Sequence, residues 1–413
     1  MKALILAGGI PQIELIKQLK SRGVTTVLAD GSPNAVARPY ADAFYEVNIF
    51  NVSAVRDIAV SEKVDFVLTV CADQVLLVVA QVSEMLGLPC YIDYITAQNV
   101  SDKIRMKQIF KKMGVPTTDY VETESFDLDI ISKLRYPLVV KPVDAYSSKG
   151  VRKAESLEEL RRFYAEAAQI SRSGGVIVEE FFEGEELSVD AFVVDGKAKV
   201  LAVTNSDKVN SNDRFVIFRG WYPATVSEDV RKKIENVAQK IADGFGLVNS
   251  PLLIQLLTRD NKISVLEFCA RTGGNMKWLL IKYSCGVDVI TATIDITLGK
   301  KPDLETKDMG HKIVANDFIY CHPGVFDHFE GFDDMVKQGL INEFHPSRLK
   351  GTVMHGVTSS SDRIAGMNIV ADSIEEFNYK QKTILDAVRI VDFEGNDIMR
   401  KDLLPDLQEK TVV

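Results

Sequence analysis

The chain has 413 residues, and at about 150 residues per domain it holds two or three domains. Hydrophobic residues make up 46% and charged residues 26%, an ordinary globular balance that excludes wholesale disorder and collagen-like or coiled-coil architectures. The 49 Lys and Arg against 58 Asp and Glu leave a net charge of −9 with no basic run. That argues against nucleic-acid or membrane-surface binding and requires a local pocket for any anionic ligand.

The first apolar run, Lys2 to Leu6, ends at Gly8-Gly9. A helical pattern follows (Ile13, Leu15, Ile16, Leu19), then a β-rich run from Val24 that closes on Asp30. Further strands are expected at residues 43–47, 66–70 and 90–92, with helices between them. Such alternation predicts a doubly wound, mostly parallel sheet over residues 1–115. Gly8-Gly9 with Asp30 invites a dinucleotide-site reading, but Ile10-Pro11-Gln12 breaks the G-x-G-x-x-G pattern. A tight strand-to-helix turn is the preferred reading.

After Pro116 the texture changes. An apolar strand ending in Val139-Val140-Lys141 is followed by a polar loop at 146–151, a charged helix at 156–166, the strand 174–182, and an alternating run at 187–194. This β-α-β-β module, residues 116–195, has the size of a mobile lid. An α/β segment over residues 196–305 carries a helix at 228–245, and residues 306–413 form a β-rich tail turning at Gly324, Gly351, Gly356 and Gly366. Cys71, Cys90, Cys269, Cys285 and Cys321 are odd in number and widely spaced, as free thiols of a reducing compartment would be. No uncharged apolar run approaches the ~20 residues of a membrane helix. The start of the chain is too short for the apolar core of a signal peptide. The expectation is a soluble, cytoplasmic protein.

Three motifs carry chemistry. In the first, Lys141 at a strand end faces the small-residue loop Ser147-Ser148-Lys149-Gly150. The ammonium would neutralise phosphate oxygens while loop N–H groups cradle them, although this is no Walker A loop and a surface hairpin reads equally well. In the second, the run Glu179-Glu180-Phe181-Phe182 leads to Gly184 and Glu186. Such a strand and linker can clamp an adenine ring and offer a carboxylate to ribose hydroxyls; the alternative is an exposed acidic hairpin. In the third, Gln255 and Glu267 lie on two runs joined by a turn at Asp260-Asn261, followed by Cys269, Arg271, Gly273 and Gly274. Oxygen ligands on adjacent strands suit Mg²⁺ with triphosphate oxygens, and Arg271 would stabilise a transferring phosphoryl group. Arg214, Arg219, Lys277 and Arg363 are candidates to grip a substrate carboxylate, each against the alternative of a surface side chain. His322 and His355 are candidate general bases on the same terms.

In this order and spacing the motifs resemble the ATP-grasp superfamily of carboxylate ligases, the carbamoyl phosphate synthetase and phosphoribosylglycinamide synthetase branch among them. The resemblance implies an ATP-grasp fold: an N-terminal doubly wound domain, a mobile α+β lid, a central α+β domain holding the metal site, and a C-terminal α+β domain. It implies that Lys103, in Ser101-Asp102-Lys103, and Lys141 contact ATP phosphates. Residues Ser147 to Gly150 become the phosphate loop, Glu179 to Phe182 the adenine hinge, and Glu186 the ribose ligand. Gln255 and Glu267 hold Mg²⁺ or Mn²⁺, with Glu267 and Arg271 matching the family's "E-x-N-x-R". Cys269 replaces the usual Asn, and a thiol is a poor Mg²⁺ ligand. The implied reaction passes through an acyl phosphate, with Lys103, Glu267 and Arg271 catalytic and small carboxylate and amine substrates. A homodimer is also expected. Alternatives are a phosphoribosylglycinamide synthetase-like purine ligase, a bicarbonate-phosphorylating enzyme, or a non-catalytic ATP-binding protein.

Overall fold

The computed structural model describes residues 1–145, 149–209, 215–274 and 276–408. The first unit runs β1 (Lys2–Leu6), α1 (Ile10–Ser21), β2 (Thr25–Asp30), β3 (Ala43–Glu46), α2 (Val52–Glu62), β4 (Phe66–Leu68), α3 (Asp73–Leu86), α4 (Tyr94–Ser101) and α5 (Lys103–Met113). Its four strands pair in the order β3-β2-β1-β4, all parallel. Asp30 accepts the Gly8 N–H at 2.7 Å and the Ser32 N–H at 2.7 Å, so its carboxylate closes the turn as the sequence suggests. The expected strand at 90–92 is absent: Cys90 to Ile92 follow Pro89, which offers no N–H to a neighbouring strand, and the chain passes on to α4.

The lid is a small antiparallel sheet, β5 (Tyr120–Thr123), β6 (Leu138–Pro142), β7 (Arg152–Ala154) and β8 (Val176–Glu180), in the order β5-β8-β6-β7. It is backed by α6 (Leu128–Ile131) and by α7 (Leu157–Ile170), whose Leu160, Phe163, Tyr164 and Ala167 bury against the sheet. These residues recur every three or four positions, the spacing of one helix face.

The rest is organised by one eight-stranded sheet. Its members are β9 (Glu185–Val194), β10 (Lys197–Lys208), β11 (Ile217–Tyr222), β12 (Ser250–Arg259), β13 (Lys262–Cys269), β14 (Ile313–Ile319), β16 (Glu343–Pro346) and β18 (Ala365–Ala371). Two of the expected boundaries move accordingly. The run 187–194, assigned to the lid from its alternating pattern, pairs with β10 and β12. The tail after residue 305 sends three strands into the same sheet as residues 196–305, because β14 finds its partner in β11. A short sheet of β15 (Gly324–Glu330), β17 (Val353–Met354) and β19 (Arg389–Asp392) closes the tail with α11 (Phe332–Lys337) and α12 (Ile374–Ala387).

The two faces of β9 decide where the site lies. Leu187, Val189, Ala191 and Val193 point into the core shared with α8 (Glu228–Phe245). The intervening Glu186, Ser188 and Asp190 point to the opposite face, since successive strand side chains alternate. On that face α9 (Lys277–Cys285) and α10 (Val289–Thr297) pack beside the first unit in a second core. Polar residues on a sheet face that helices only partly cover leave a cavity, and the candidate site occupies it.

Candidate active site

Two cavities meet on the polar face of the large sheet. One, of about 150 Å³, is bounded by the lid strands, the β8–β9 linker and the β12–β13 hairpin. The other, of about 500 Å³, extends towards the first unit and the C-terminal strands. Lys103, Ala145, Gln255 and Glu267 line both, so they stand at the junction.

The helix α5 places the first cation. Asp102 caps it by accepting the N–H groups of Ile104 and Arg105 at 2.9 and 3.0 Å, which fixes Lys103 at the helix start. The Lys103 ammonium donates to the Ala145 carbonyl at 3.0 Å and lies 3.3 Å from Glu267. Burial pulls its pKa down, but Glu267 outweighs this and leaves it above the ordinary lysine value. One turn further along α5, Lys107 is buried 3.2 Å from Glu179 and donates to Thr117 Oγ1 at 2.5 Å. Lys141, at the end of β6, approaches the same Glu179 oxygen at 2.6 Å. Burial raises the Glu179 carboxyl, yet Lys141 and Lys107 more than reverse this and hold it at about 2. Lys107 loses more to burial than Glu179 returns, and falls to about 8. Glu179, expected in the adenine hinge, thus spends its carboxylate on orienting two lysines.

The rest of the expected hinge is the run after Glu179. Phe181 and Phe182 line the smaller cavity, and the Lys153 ammonium stands 4.6 Å from the Phe181 ring centre. Glu180 is tied to Arg135 through contacts from the Arg135 N–H at 3.0 Å and its guanidinium at 2.8 Å. Glu186, the expected ribose ligand, pairs with Lys208 at 2.6 Å and accepts the Gln255 amide at 3.2 Å. Lys149 and Gly150 belong to the expected phosphate loop, and Lys149 lines the cavity. Gly150 has φ of 75°, the left-handed region that glycine enters without strain. Ser147 and Ser148 lie outside the described residues, as does Arg214.

The β12–β13 hairpin sets Gln255 directly opposite Glu267 in its register. Its turn, Asp260-Asn261, takes φ of 51° and 58°, the backbone a two-residue hairpin needs. The Glu267 carboxylate and the Gln255 carbonyl are hard oxygen donors suited to Mg²⁺. Cys269 sits across from Leu253. Its thiol is pushed well up by burial and by Asp73, and a neutral sulfur is a poor partner for this ion. The donor set therefore fits one Mg²⁺ or Mn²⁺ with phosphate oxygens and water completing its shell, and Cys269 does not fit as a ligand. Among the described residues no cluster of three or more His, Cys, Asp and Glu forms a closed metal cage.

Beyond the hairpin, Arg271 is clasped through Nε and a terminal nitrogen by both oxygens of Asp73, at the start of α3. Burial raises the Asp73 carboxyl, but Arg271 overrides it and holds it below its ordinary value. Lys277, at the start of α9, lies 3.0 Å from the buried Asp190 and donates to Thr204. Arg363 is also buried. Its Nε donates to the Tyr320 hydroxyl at 3.0 Å, another guanidinium nitrogen donates to the Ile217 carbonyl at 3.0 Å, and the group lies over the Phe318 ring. Arg363 lines the larger cavity with no carboxylate partner among the described residues.

Arg219 is not in the site. Its guanidinium is buried against Asp317, with Nε at 2.5 Å, and donates to the Pro405 carbonyl at 3.0 Å; it joins β11 to β14 and the chain end instead of facing a ligand. His322 and His355 are exposed and line neither cavity. Four contributors escaped the sequence reading: Lys107, Lys208, Asp73 and Asp190. Lys107 was within reach of it, since it lies four residues after Lys103 and shares its helix face. Asp73 reads as an ordinary first-turn acid, and only the chain's return from residue 271 reveals its partner.

The fold is that of an α/β protein with one cavity between a lid and a sheet, opening onto a second, larger one. Residues 134–278 match the ATP-grasp domain family. Human mitochondrial carbamoyl-phosphate synthase [ammonia] is 23% identical over 333 residues, 76% of this chain and 21% of that protein. The phosphoribosylamine–glycine ligase of Lactococcus lactis is 29% identical over 248 residues, 57% of each. The chain thus matches about a fifth of the former and just over half of the latter. Among solved structures, an L-amino acid ligase from Bacillus licheniformis superposes with a TM-score of 0.79 at 20% identity, covering 95% of this chain and 98% of that one. At that identity the likeness is one of fold.

Proposed function

We propose that the chain is an ATP-dependent carboxylate–amine ligase that forms an amide through an acyl phosphate and releases ADP and phosphate. The observation that carries this reading is the meeting of Lys103, Gln255 and Glu267 at the junction of the two cavities. A triphosphate in the smaller cavity would present its terminal phosphoryl group to an acid in the larger one.

The acid's carboxylate oxygen attacks the γ-phosphorus, the bond to the β-bridging oxygen breaks, and ADP leaves. The amine nitrogen then attacks the acyl carbon, gives up a proton, and inorganic phosphate departs with the former carboxylate oxygen. Lys103, Lys141 and Arg271 offset the negative charge spread over the transferring group. Gln255 and Glu267 would hold Mg²⁺, which when bound would supply further charge neutralisation at the phosphate oxygens. Glu179 orients Lys141 and Asp73 orients Arg271, so neither cation needs to reorganise during the step. The lid over the junction keeps water from the acyl phosphate. Arg363, buried without a balancing acid, is suited to grip an anionic group of the substrate.

A second reading, a phosphoribosylglycinamide synthetase-like ligase, is supported by the 29% identity with the phosphoribosylamine–glycine ligase. On that reading Arg363 would meet a sugar phosphate in place of a carboxylate. Coupled ADP release with Mg-ATP separates the two, using a panel of acids crossed with amines that includes phosphoribosylamine and bicarbonate. ADP formed only with one acid–amine pair other than glycine and phosphoribosylamine, and a product of their combined mass less water, supports the general ligase. ADP formed with phosphoribosylamine and glycine alone supports the second reading. Tight nucleotide binding with no ADP across the panel would sink both in favour of a binding protein.

A further inference from the structure

The larger cavity is not uniform. Of the charged side chains lining it, Glu267, Arg271, Lys277 and Arg363 belong to the large sheet, its connections or α9, and Lys103 begins α5. The remaining acid of the first unit is Asp73, at the start of α3. From there the lining follows α3 through Leu77 to Gln81. These residues recur every fourth position and so form one stripe along the helix. At about 1.5 Å per residue the stripe runs about 12 Å away from Asp73. Phe50 and Val52, where α2 begins, form the wall beside it, with Val78 from α3. The opposite rim is the lid, whose Asp144 and Arg172 neutralise each other at 3.8 Å. One end of the cavity is therefore ionic and surrounds the reacting groups, while the arm leading from it is apolar up to Gln81.

Phe50 is 44% exposed, and Leu77 is only partly buried, with its inner side against the core of the large sheet. The apolar wall is continuous with the junction through Asp73, so whatever covers it enters with its reacting end at Lys103 and Glu267. We infer that one of the two substrates is a small acid or amine bearing an apolar side group, which lies along Leu77 between Phe50 and Val52. This rests on the ligase reading of the site and narrows it to a substrate class. A side group of branched-aliphatic or benzyl size covers the stripe, and each buried methylene then adds to discrimination by roughly tenfold or more. Among the described residues, a phosphorylated or acidic side group in this arm would meet no cation without an acid beside it.

The full chain, loaded with Mg²⁺ and the non-hydrolysable analogue adenylyl imidodiphosphate, is titrated with glycine, aspartate, leucine and phenylalanine by calorimetry. Each carries both an amine and a carboxylate, so the series varies only the side group. Leucine or phenylalanine is expected to bind at least about tenfold tighter than glycine and aspartate. Leu77→Asp is expected to remove that advantage while leaving the affinity for the analogue unchanged. If Leu77→Asp does not fold, Phe50→Asp on the exposed side of the wall makes the same test. Glycine or aspartate binding equally well, no member of the series binding, or an unaltered preference in the folded variant overturns the inference. Failure of the analogue itself to bind counts against the ATP reading of the smaller cavity, which separates the two failures.

Discussion

At the scale of single residues, ion pairs between the two cavities hold each cation in place for a ligand. Glu179 shows the cost of this arrangement, because one carboxylate compensates two buried ammonium groups. Glu179→Gln leaves Lys107 and Lys141 without it and is expected to destabilise the fold by about 3–5 kcal/mol, measured by urea unfolding at neutral pH. The pH dependence has a definite sign. The Glu179 carboxyl sits at about 2 in the fold against an ordinary 4.5, so its contribution is complete above 4.5 and is lost as pH falls from 4.5 towards 2. Unfolding free energies followed across that window should fall steeply for the native chain and less steeply for Glu179→Gln; parallel curves would remove Glu179 from this role. Cys269 makes a contrasting case. Substituting an oxygen ligand, Cys269→Asn, should raise Mn²⁺ affinity in the presence of nucleotide by about tenfold or more, read by electron paramagnetic resonance. An unchanged affinity would mean that this position faces away from the metal.

At the scale of elements, the hairpin of β12 and β13 and the linker between β8 and β9 form facing walls of the smaller cavity, proposed to take ATP, and Gly184 sets their separation. A Cβ there would stand 2.6 Å from the Thr258 carbonyl oxygen and 3.0 Å from the Phe182 ring. Neither neighbour retreats without moving a strand or the hinge. Gly184→Ala is therefore expected to weaken ATP binding about tenfold or more while leaving overall stability within about 1–2 kcal/mol. Calorimetry with the nucleotide and thermal unfolding check the two halves separately. The hairpin was legible in the sequence: an Asp-Asn pair between two apolar runs allows the positive φ values that such turns need, and it brought Gln255 to Glu267. The membership of β9 was not. An alternating strand fits either a lid or a sheet edge, and its assignment awaited partners 57 to 73 residues further on, at β12.

At the scale of the whole molecule, Asp73 and Arg271 tie the first unit to the large sheet across 198 residues of chain. Asp73→Asn should loosen that junction and lower turnover, with faster hydrogen exchange in α3 than in the distant α12. Equal exchange in both helices would mean that the pair does not hold the units together. Mg-ATP at a hundredfold excess over its dissociation constant should stabilise the native chain by about 2.7 kcal/mol. Chelating the metal should remove most of that gain, as read by thermal unfolding. A homodimer, expected from the resemblance, is tested by sedimentation.

The sequence by itself determined the local patterns: which runs become strands and helices, where the turns fall, and which lysines and acids stand beside strand ends and helix starts. These follow from side-chain periodicity, capping and backbone sterics, all of which act within a few residues. Lys141 at a strand end and Gln255 opposite Glu267 were proposed that way, whereas Lys103 came from the family resemblance. Only the tertiary structure decided how their charges are shared. Arg219 and Arg271 look alike in sequence, yet one is consumed by Asp317 in the sheet and the other is held by Asp73 at the cavity. Of the three proposed substrate cations among the described residues, Arg219, Lys277 and Arg363, only Arg363 lines the cavity as a buried group with no acid beside it. A charge is used or spent according to the partner that folding brings within about 4 Å, and such partners come from distant parts of the chain that no local pattern connects.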